Sequence, residues 1–307
     1  MTTDPQDFPS RPTMALPSGS CDCHVHLFDA TRFPFAPDRS YTPGRARVED
    51  LLAFEARLGI ERIVLVQPSV YGTDNAALLE GLRELGLQRA RGVAVIDPRT
   101  VTHAALQSLH DQGVRGIRLN LQVRGQRDLS VASAQLRRAS DVVAPFGWAV
   151  QIYADLDVVA GLAADIADLA VPVVLDHFAG ARADKLADQQ AAFATVLDLV
   201  KHGNAYVKLS APYRASRQAP QFDDLAPIAR QLIDARPDRM LWASDWPHTG
   251  SAGNRDGDLT RIEPFRREDA GRALNQLLGW TDSAALRQRI LVDNPARLYR
   301  FAEQPSA

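Results

Sequence analysis

From residue 20 onward the apolar and polar positions fall into two alternating rhythms. Short runs of near-continuous or period-two apolar character are followed by longer stretches with apolar residues three and four apart. The short runs predict strands at CDCHVHL (21–27), RIVLVQPS (62–69), RGVAVID (91–97), VRGIRLNL (114–121), WAVQIYA (148–154), PVVLDHF (172–178), AYVKLS (205–210) and RMLWASD (239–245). Between them lie amphipathic segments such as VEDLLAFEARLG, NAALLEGLRELG and AAFATVLDLVKHG, several ending in a glycine where a helix C-cap belongs. Eight strand-then-helix units in sequence, with no strand left over, predict one closed (β/α)8 TIM barrel over residues 20–307 rather than an open doubly wound sheet. Residues 1–19, polar and carrying four prolines, are expected to form an N-terminal arm. Two connections exceed what a barrel needs. FDATRFPFAPDRSYTPGRA after the first strand suits an ordered, lid-like loop, and the segment 246–264 after the eighth is long and glycine-rich. An extra helix is expected at the C-terminus.

In a barrel every second strand residue faces inward, and catalytic groups sit at the strand C-termini. That phase puts His24 and His26 on one face of the first strand, opposite Cys21, Cys23 and Val25. It also turns Arg118 and Asn120 inward, with Gln151 and Tyr153 beside them, and ends the sixth and eighth strands in His177 and Asp245. A barrel normally fills these layers with Val, Ile and Leu, because an unpaired buried polar group costs on the order of 1 to 3 kcal/mol. Each feature alone has a plain explanation: core histidines, a helix N-cap, an ion pair. Their joint occurrence at one end of the barrel points to a site. His103, His110 and His202 fall on helical segments and read as surface residues, whereas His248 fits either the site or its loop.

Composition narrows the function. A net charge of −2, with 46% hydrophobic and 23% charged residues, gives no field for nucleic acid or anionic lipid. No apolar stretch approaches the roughly 20 residues of a spanning helix, and no signal-like segment opens the chain, so a cytoplasmic protein is expected. Of 35 cationic residues only Lys185, Lys201 and Lys208 are lysine. Cys21 and Cys23, two apart in one strand, cannot form an ordinary disulfide and are expected to be reduced and buried.

The motifs CDCHVHLFD, LDHFAG, LWASDWPH and VDNPARLYRF resemble the second group of the amidohydrolase superfamily over roughly residues 20–302. Within it, FPFAPDRSYTP, QPSVYGTDN, RGIRLNLQVRG, QIYAD and KLSAPYR are most similar to lactonases that open 2-pyrone-4,6-dicarboxylate and sugar-acid lactones. The resemblance implies that Asp245 takes a proton from the attacking water while His24, His26 and His177 surround the lactone carbonyl. Arg118, Arg124 and Arg214 would hold substrate carboxylates, with hydrogen bonds from Tyr41, Ser69 and Tyr153. Where such lactonases are expected to carry an arginine soon after the sixth-strand histidine, this chain has Phe178, Ala179 and Gly180, with Arg182 beyond. A superfamily binuclear centre would need a bridging Lys or Glu on the fourth strand and a histidine on the fifth. Arg118 with Asn120 and Gln151 with Tyr153 stand there instead, so no metal is expected. The alternative is one zinc held by His24, His26, His177 and Asp245 in a hydrolase or decarboxylase. A non-catalytic anion-binding barrel is disfavoured, because Asp245 would repel its ligand. The expected partner is a small anionic lactone or dicarboxylate; the oligomeric state is left open.

Overall fold

A computed structural model describes residues 9–121, 128–250 and 258–302. The eight expected strands are all present: β1 Cys21–Val25, β2 Arg62–Val66, β3 Ala90–Ala94, β4 Val114–Asn120, β5 Ala149–Tyr153, β6 Val173–Leu175, β7 Ala205–Ser210 and β8 Met240–Ala243. They pair in parallel in chain order. The ends of the sheet meet at the top, where Val25 bridges Trp246, His26 N–H donates to the Trp246 carbonyl at 2.9 Å and Asp245 N–H to the His24 carbonyl at 3.0 Å. The result is a (β/α)8 barrel.

The helices form because each presents a stripe to the sheet. In α1 (Val48–Leu58) Val48, Leu51, Phe54 and Leu58 are buried, Asp50 accepts from the Arg47 N–H, and Gly59 ends the helix in the left-handed region at φ 79°. Outward strand residues such as Ile63, Leu65, Ile117, Ile152 and Trp242 pack under these stripes. Inward residues Val64, Val66, Val93, Ala149, Val174, Leu241 and Ala243 fill the barrel. The last described segment, with helix Asn294–Tyr299, brings Leu298, Tyr299 and Phe301 into that interior cluster. Arg62 and Arg91 hold it by donating to the carbonyls of Ala302 and Arg300, both at 2.8 Å.

One strand departs from the simple phase. Cys21 and Cys23, expected opposite the histidines, belong to the interior cluster, as the histidines belong to the interior site. β1 carries three steps from Asp22 to Val25 against two on β2, a bulge that inserts one residue and flips the alternation. Asp22 meets Glu55 of α1 instead, with its Oδ1 accepting from the backbone N–H of His24 and of Ser244 at 3.1 and 3.0 Å. Two touching buried carboxyls cannot both ionise. Burial first, and then Asp22, hold Glu55 well above the usual carboxylate range, while burial lifts Asp22 to about 6. A raised acid contributes stability that is complete below its unfolded pKa and is lost as pH rises through its folded one. Glu55→Gln is therefore expected to gain thermal stability over the parent progressively as pH rises above about 4.5. Parallel melting curves from pH 4 to pH 8 check this; a difference that is flat with pH rules it out.

The long loop after β1 is ordered. Thr42–Pro43 pairs in parallel with Ile262–Glu263 of the loop after β8, and Thr42 Oγ1 donates to the Leu259 carbonyl at 2.6 Å. The two long loops are thus tied together. At the start of the described chain, Ser10 and Thr13 bond Asp269 and Asn275, at the N-cap and within helix Ala270–Trp280. No helix among the described residues is long and apolar enough to cross a membrane.

Candidate active site

His26 at the end of β1 has Nδ1 2.7 Å from the Val66 carbonyl on β2, so that nitrogen carries the proton and Nε2 offers its lone pair. Nε2 of His24 lies 3.2 Å from it. His177 follows β6 at φ 49°, its Nδ1 2.9 Å from Ser210 Oγ at the end of β7. Asp245 follows β8 at φ 65°. Non-glycine residues seldom adopt such backbone angles, and here they cluster at the strand ends: Phe178, Ala179, Ala211 and His248 share them. The left-handed run 177–179 continues into Gly180, where a Cβ would stand 2.4 Å from the Ala154 carbonyl oxygen. Only glycine fits there, which explains why this position carries no side chain.

The two oxygens of Asp245 differ. Oδ2 accepts from Tyr213 Oη at 2.6 Å and Arg214 Nε at 2.8 Å, while Oδ1 faces Nε2 of His24, His26 and His177 at 3.7, 3.7 and 3.9 Å. Burial opposes its ionisation, yet Arg214 and then the histidines hold Asp245 well below the usual carboxylate range. Burial lowers His26 and His177 to about 4, and burial with Lys208 holds His24 well below the usual histidine range, so the histidines are neutral at pH 7.

Beneath this layer lies a second one. Asp176 Oδ2 accepts from Arg118 Nη2 at 3.2 Å and Gln151 Nε2 at 3.0 Å. Lys208, fully buried on β7, reaches Gln151 Oε1 at 2.7 Å, His24 Nδ1 at 3.2 Å and Asp176 Oδ1 at 3.3 Å. Burial pushes Asp176 up, but Lys208, His24 and Arg118 outweigh it and keep the carboxyl ionised.

Of the residues expected from sequence, His24, His26, His177, Asp245, Arg118, Tyr153 and Arg214 converge. Tyr153 stands edge-on to His177, ring centres 5.1 Å apart, with the Arg118 guanidinium 5.6 Å from its ring. Arg214 is turned onto Asp245, with Nη2 donating to Thr249 O and Oγ1 at 3.0 and 3.2 Å. Tyr41 is buried in the loop after β1, and Ser69 opens a short turn after β2. Arg124 lies outside the described residues. Arg182 pairs with Asp184 at 2.9 Å and lines a neighbouring cavity of about 330 Å³ with Asp155, Gly180 and Lys185. His248 is buried beside Phe54 and Tyr213. His110, read as a surface residue, is instead half-buried and accepts from Trp148 Nε1 at 3.0 Å. Sequence reasoning missed Asp176, Lys208 and Tyr213. For the first two the signal was there: Asp176 shares the parity of Val174, and Lys208 interrupts an apolar strand.

His24, His177 and Asp245 each offer a ligand atom within 4.8 Å of the others, so this group could hold a metal ion. Among known proteins, the family profile described as Amidohydrolase matches residues 21–301. A 4-sulfomuconolactone hydrolase of Rhizobium radiobacter is 35% identical over 94% of this chain and 92% of its own length. A 2-pyrone-4,6-dicarboxylate hydrolase of Comamonas testosteroni is 36% identical over 95% and 93%. A crystal structure from Acinetobacter baumannii with citric acid bound superposes with a TM-score of 0.74 at 26% identity, covering 92% of this chain and 100% of that one.

Proposed function

The chain belongs to the amidohydrolase family, and from that membership we propose that it hydrolyses a lactone bearing carboxylate or sulfonate groups, with Asp245 as the base and without a metal. The observation that carries this is the division between the two oxygens of Asp245. Oδ2 is saturated by Tyr213 and Arg214, which leaves Oδ1 to receive a proton among three neutral histidines. Water held at Oδ1 attacks the lactone carbonyl and gives its proton to Asp245, and the carbonyl electron pair moves onto oxygen. Collapse of that oxyanion breaks the ring C–O bond, and the proton returns to the departing oxygen, giving the open hydroxy (or enol) acid. His24 and His177 stand where the oxyanion would develop, while His26, its Nδ1–H given to the Val66 carbonyl, presents a lone pair to His24.

The substrate class rests on two supports. The similar proteins act on lactones that carry anionic groups, and two arginines, Arg118 and Arg214, stand at this site with guanidinium groups suited to an anion. Arg124 and Arg182 are further candidates for that role, and Tyr41, Ser69 and Tyr153 for hydrogen bonds. Sugar-acid lactones share the chemistry and belong on the same assay panel. A zinc-dependent hydrolase is the second reading, favoured by the spacing of His24, His177 and Asp245. Turnover of anionic lactones is expected to survive exhaustive chelation, with purified protein holding far less than one equivalent of zinc or manganese by elemental analysis. Stoichiometric metal whose removal stops turnover, restored by zinc, would establish the second reading instead.

A further inference from the structure

We infer that Lys208 is a positioning residue that fixes the proton of His24 on Nε2, and thereby makes His24 a hydrogen-bond donor at the site instead of a metal ligand. The distances among His24, His177 and Asp245 suit an ion; the hydrogen-bond directions do not.

To bind a metal through Nε2, both His24 and His26 must carry their protons on Nδ1. His26 does, giving it to the Val66 carbonyl at 2.7 Å. His24 has two neighbours at Nδ1: Lys208 Nζ at 3.2 Å and Asp176 Oδ1 at 3.2 Å. Lysine only donates. Its hydrogens are directed at Gln151 Oε1 and at His24 Nδ1, which must then accept, while Asp176 Oδ1 stands 3.3 Å away as a counter-charge. Asp176 Oδ1, although close, makes no hydrogen bond in line with that ring. With Nδ1 accepting, His24 Nε2–H points at the lone pair of His26 Nε2, 3.2 Å away, and the chain from Lys208 through both rings to Val66 is complete. Were Nδ1 protonated, Lys208 would face an N–H and the two Nε2 lone pairs would face each other. Two cations, Lys208 and Arg118, also stand against Asp176 directly behind the pair and would oppose a divalent ion. The same lock serves the reaction. When a lactone enters, His24 can turn its Nε2–H from His26 to the carbonyl oxygen, a donor already in place as charge develops.

This deepens the metal-free reading above but is independent of which lactone is cleaved. The test combines two measurements on the full chain labelled with 15N-histidine, the His24 signals being assigned by their loss in His24→Gln. Long-range 15N–1H spectra of the parent are expected to show His24 protonated on Nε2; protonation on Nδ1 overturns the inference, whatever the assay says. In Lys208→Met the proton is expected to move to Nδ1, facing Asp176. Zinc affinity, read by competition with a chromogenic chelator, is expected to rise about 10- to 100-fold, and kcat to fall more than KM changes. A Lys208→Met protein that folds but keeps Nε2–H and gains no zinc also overturns it. If that variant does not fold, the parent spectrum and the parent's zinc affinity decide. Loss of parent activity on chelation would defeat the metal-free reading separately, without reference to the tautomer.

Discussion

Asp245→Asn is expected to lower kcat by roughly 10² to 10⁴-fold, the usual cost of losing a positioned base, while KM stays within a few-fold. The surroundings determine how the amide would sit. Tyr213 Oη and Arg214 Nε are both donors, and they hold Oδ2 at 2.6 and 2.8 Å. The amide oxygen must therefore take that position, which leaves the NH2 where Oδ1 now faces the histidines. The one oxygen that accepts the proton of water is replaced by a group that already has protons to donate. Shape and volume are kept, so binding of an anionic lactone should change little. Steady-state kinetics at neutral pH, with zinc content measured on the same preparation, checks the expectation. A kcat near the parent value would remove Asp245 from the role of base.

Much of this arrangement was readable from the sequence, for a physical reason. Barrel strands buried on both faces are short apolar runs, so eight of them stood out, and a polar residue at the end of such a run costs too much to be idle. His24, His26, Arg118, Gln151, Tyr153 and Asp245 were legible in that way. Strand ends were less legible. PVVLDHF reads as a seven-residue strand, yet β6 stops at Leu175 because His177, Phe178 and Ala179 adopt positive φ. That turn brings two adjacent residues, Asp176 and His177, into the same site, which no regular strand can do. The strand-end reading gave His177 and passed over Asp176, which shares the parity of Val174; the backbone turn accommodates both. The phase of β1 was misread for a related reason. A bulge adds a residue without a signature in composition, so Cys21 and Cys23 face inward with the histidines. Tyr213 could not be foreseen from periodicity. It lies on the four-residue helix Pro212–Ala215, aimed by Ala211 at φ 50°, and its direction is a tertiary property.

Arg214 carries the second large expectation, and its geometry changes the form that expectation takes. An arginine that only held a substrate carboxylate would, on mutation to methionine, raise KM for anionic lactones, leave kcat intact and spare a neutral lactone. Here Nε is committed to Asp245 at 2.8 Å and Nη2 to Thr249 at 3.0 and 3.2 Å, leaving only Nη1 for a ligand. Removing the guanidinium leaves a buried carboxylate with Tyr213 as the sole donor on Oδ2. Truncating one partner of such a pair costs about 2 to 5 kcal/mol, or roughly 30-fold and more in kcat/KM. The loss is expected mainly in kcat and on neutral and anionic lactones alike, because it falls on the base itself. Without its strongest opposing charge Asp245 also becomes easier to protonate, so the acid limb of the kcat profile should move to higher pH in Arg214→Met. Parallel kinetics on one neutral and one anionic lactone across that pH range distinguish the two roles. A rise in KM confined to the anionic lactone, with kcat and its pH profile unchanged, would make Arg214 a substrate-binding residue that touches Asp245 only in the absence of ligand.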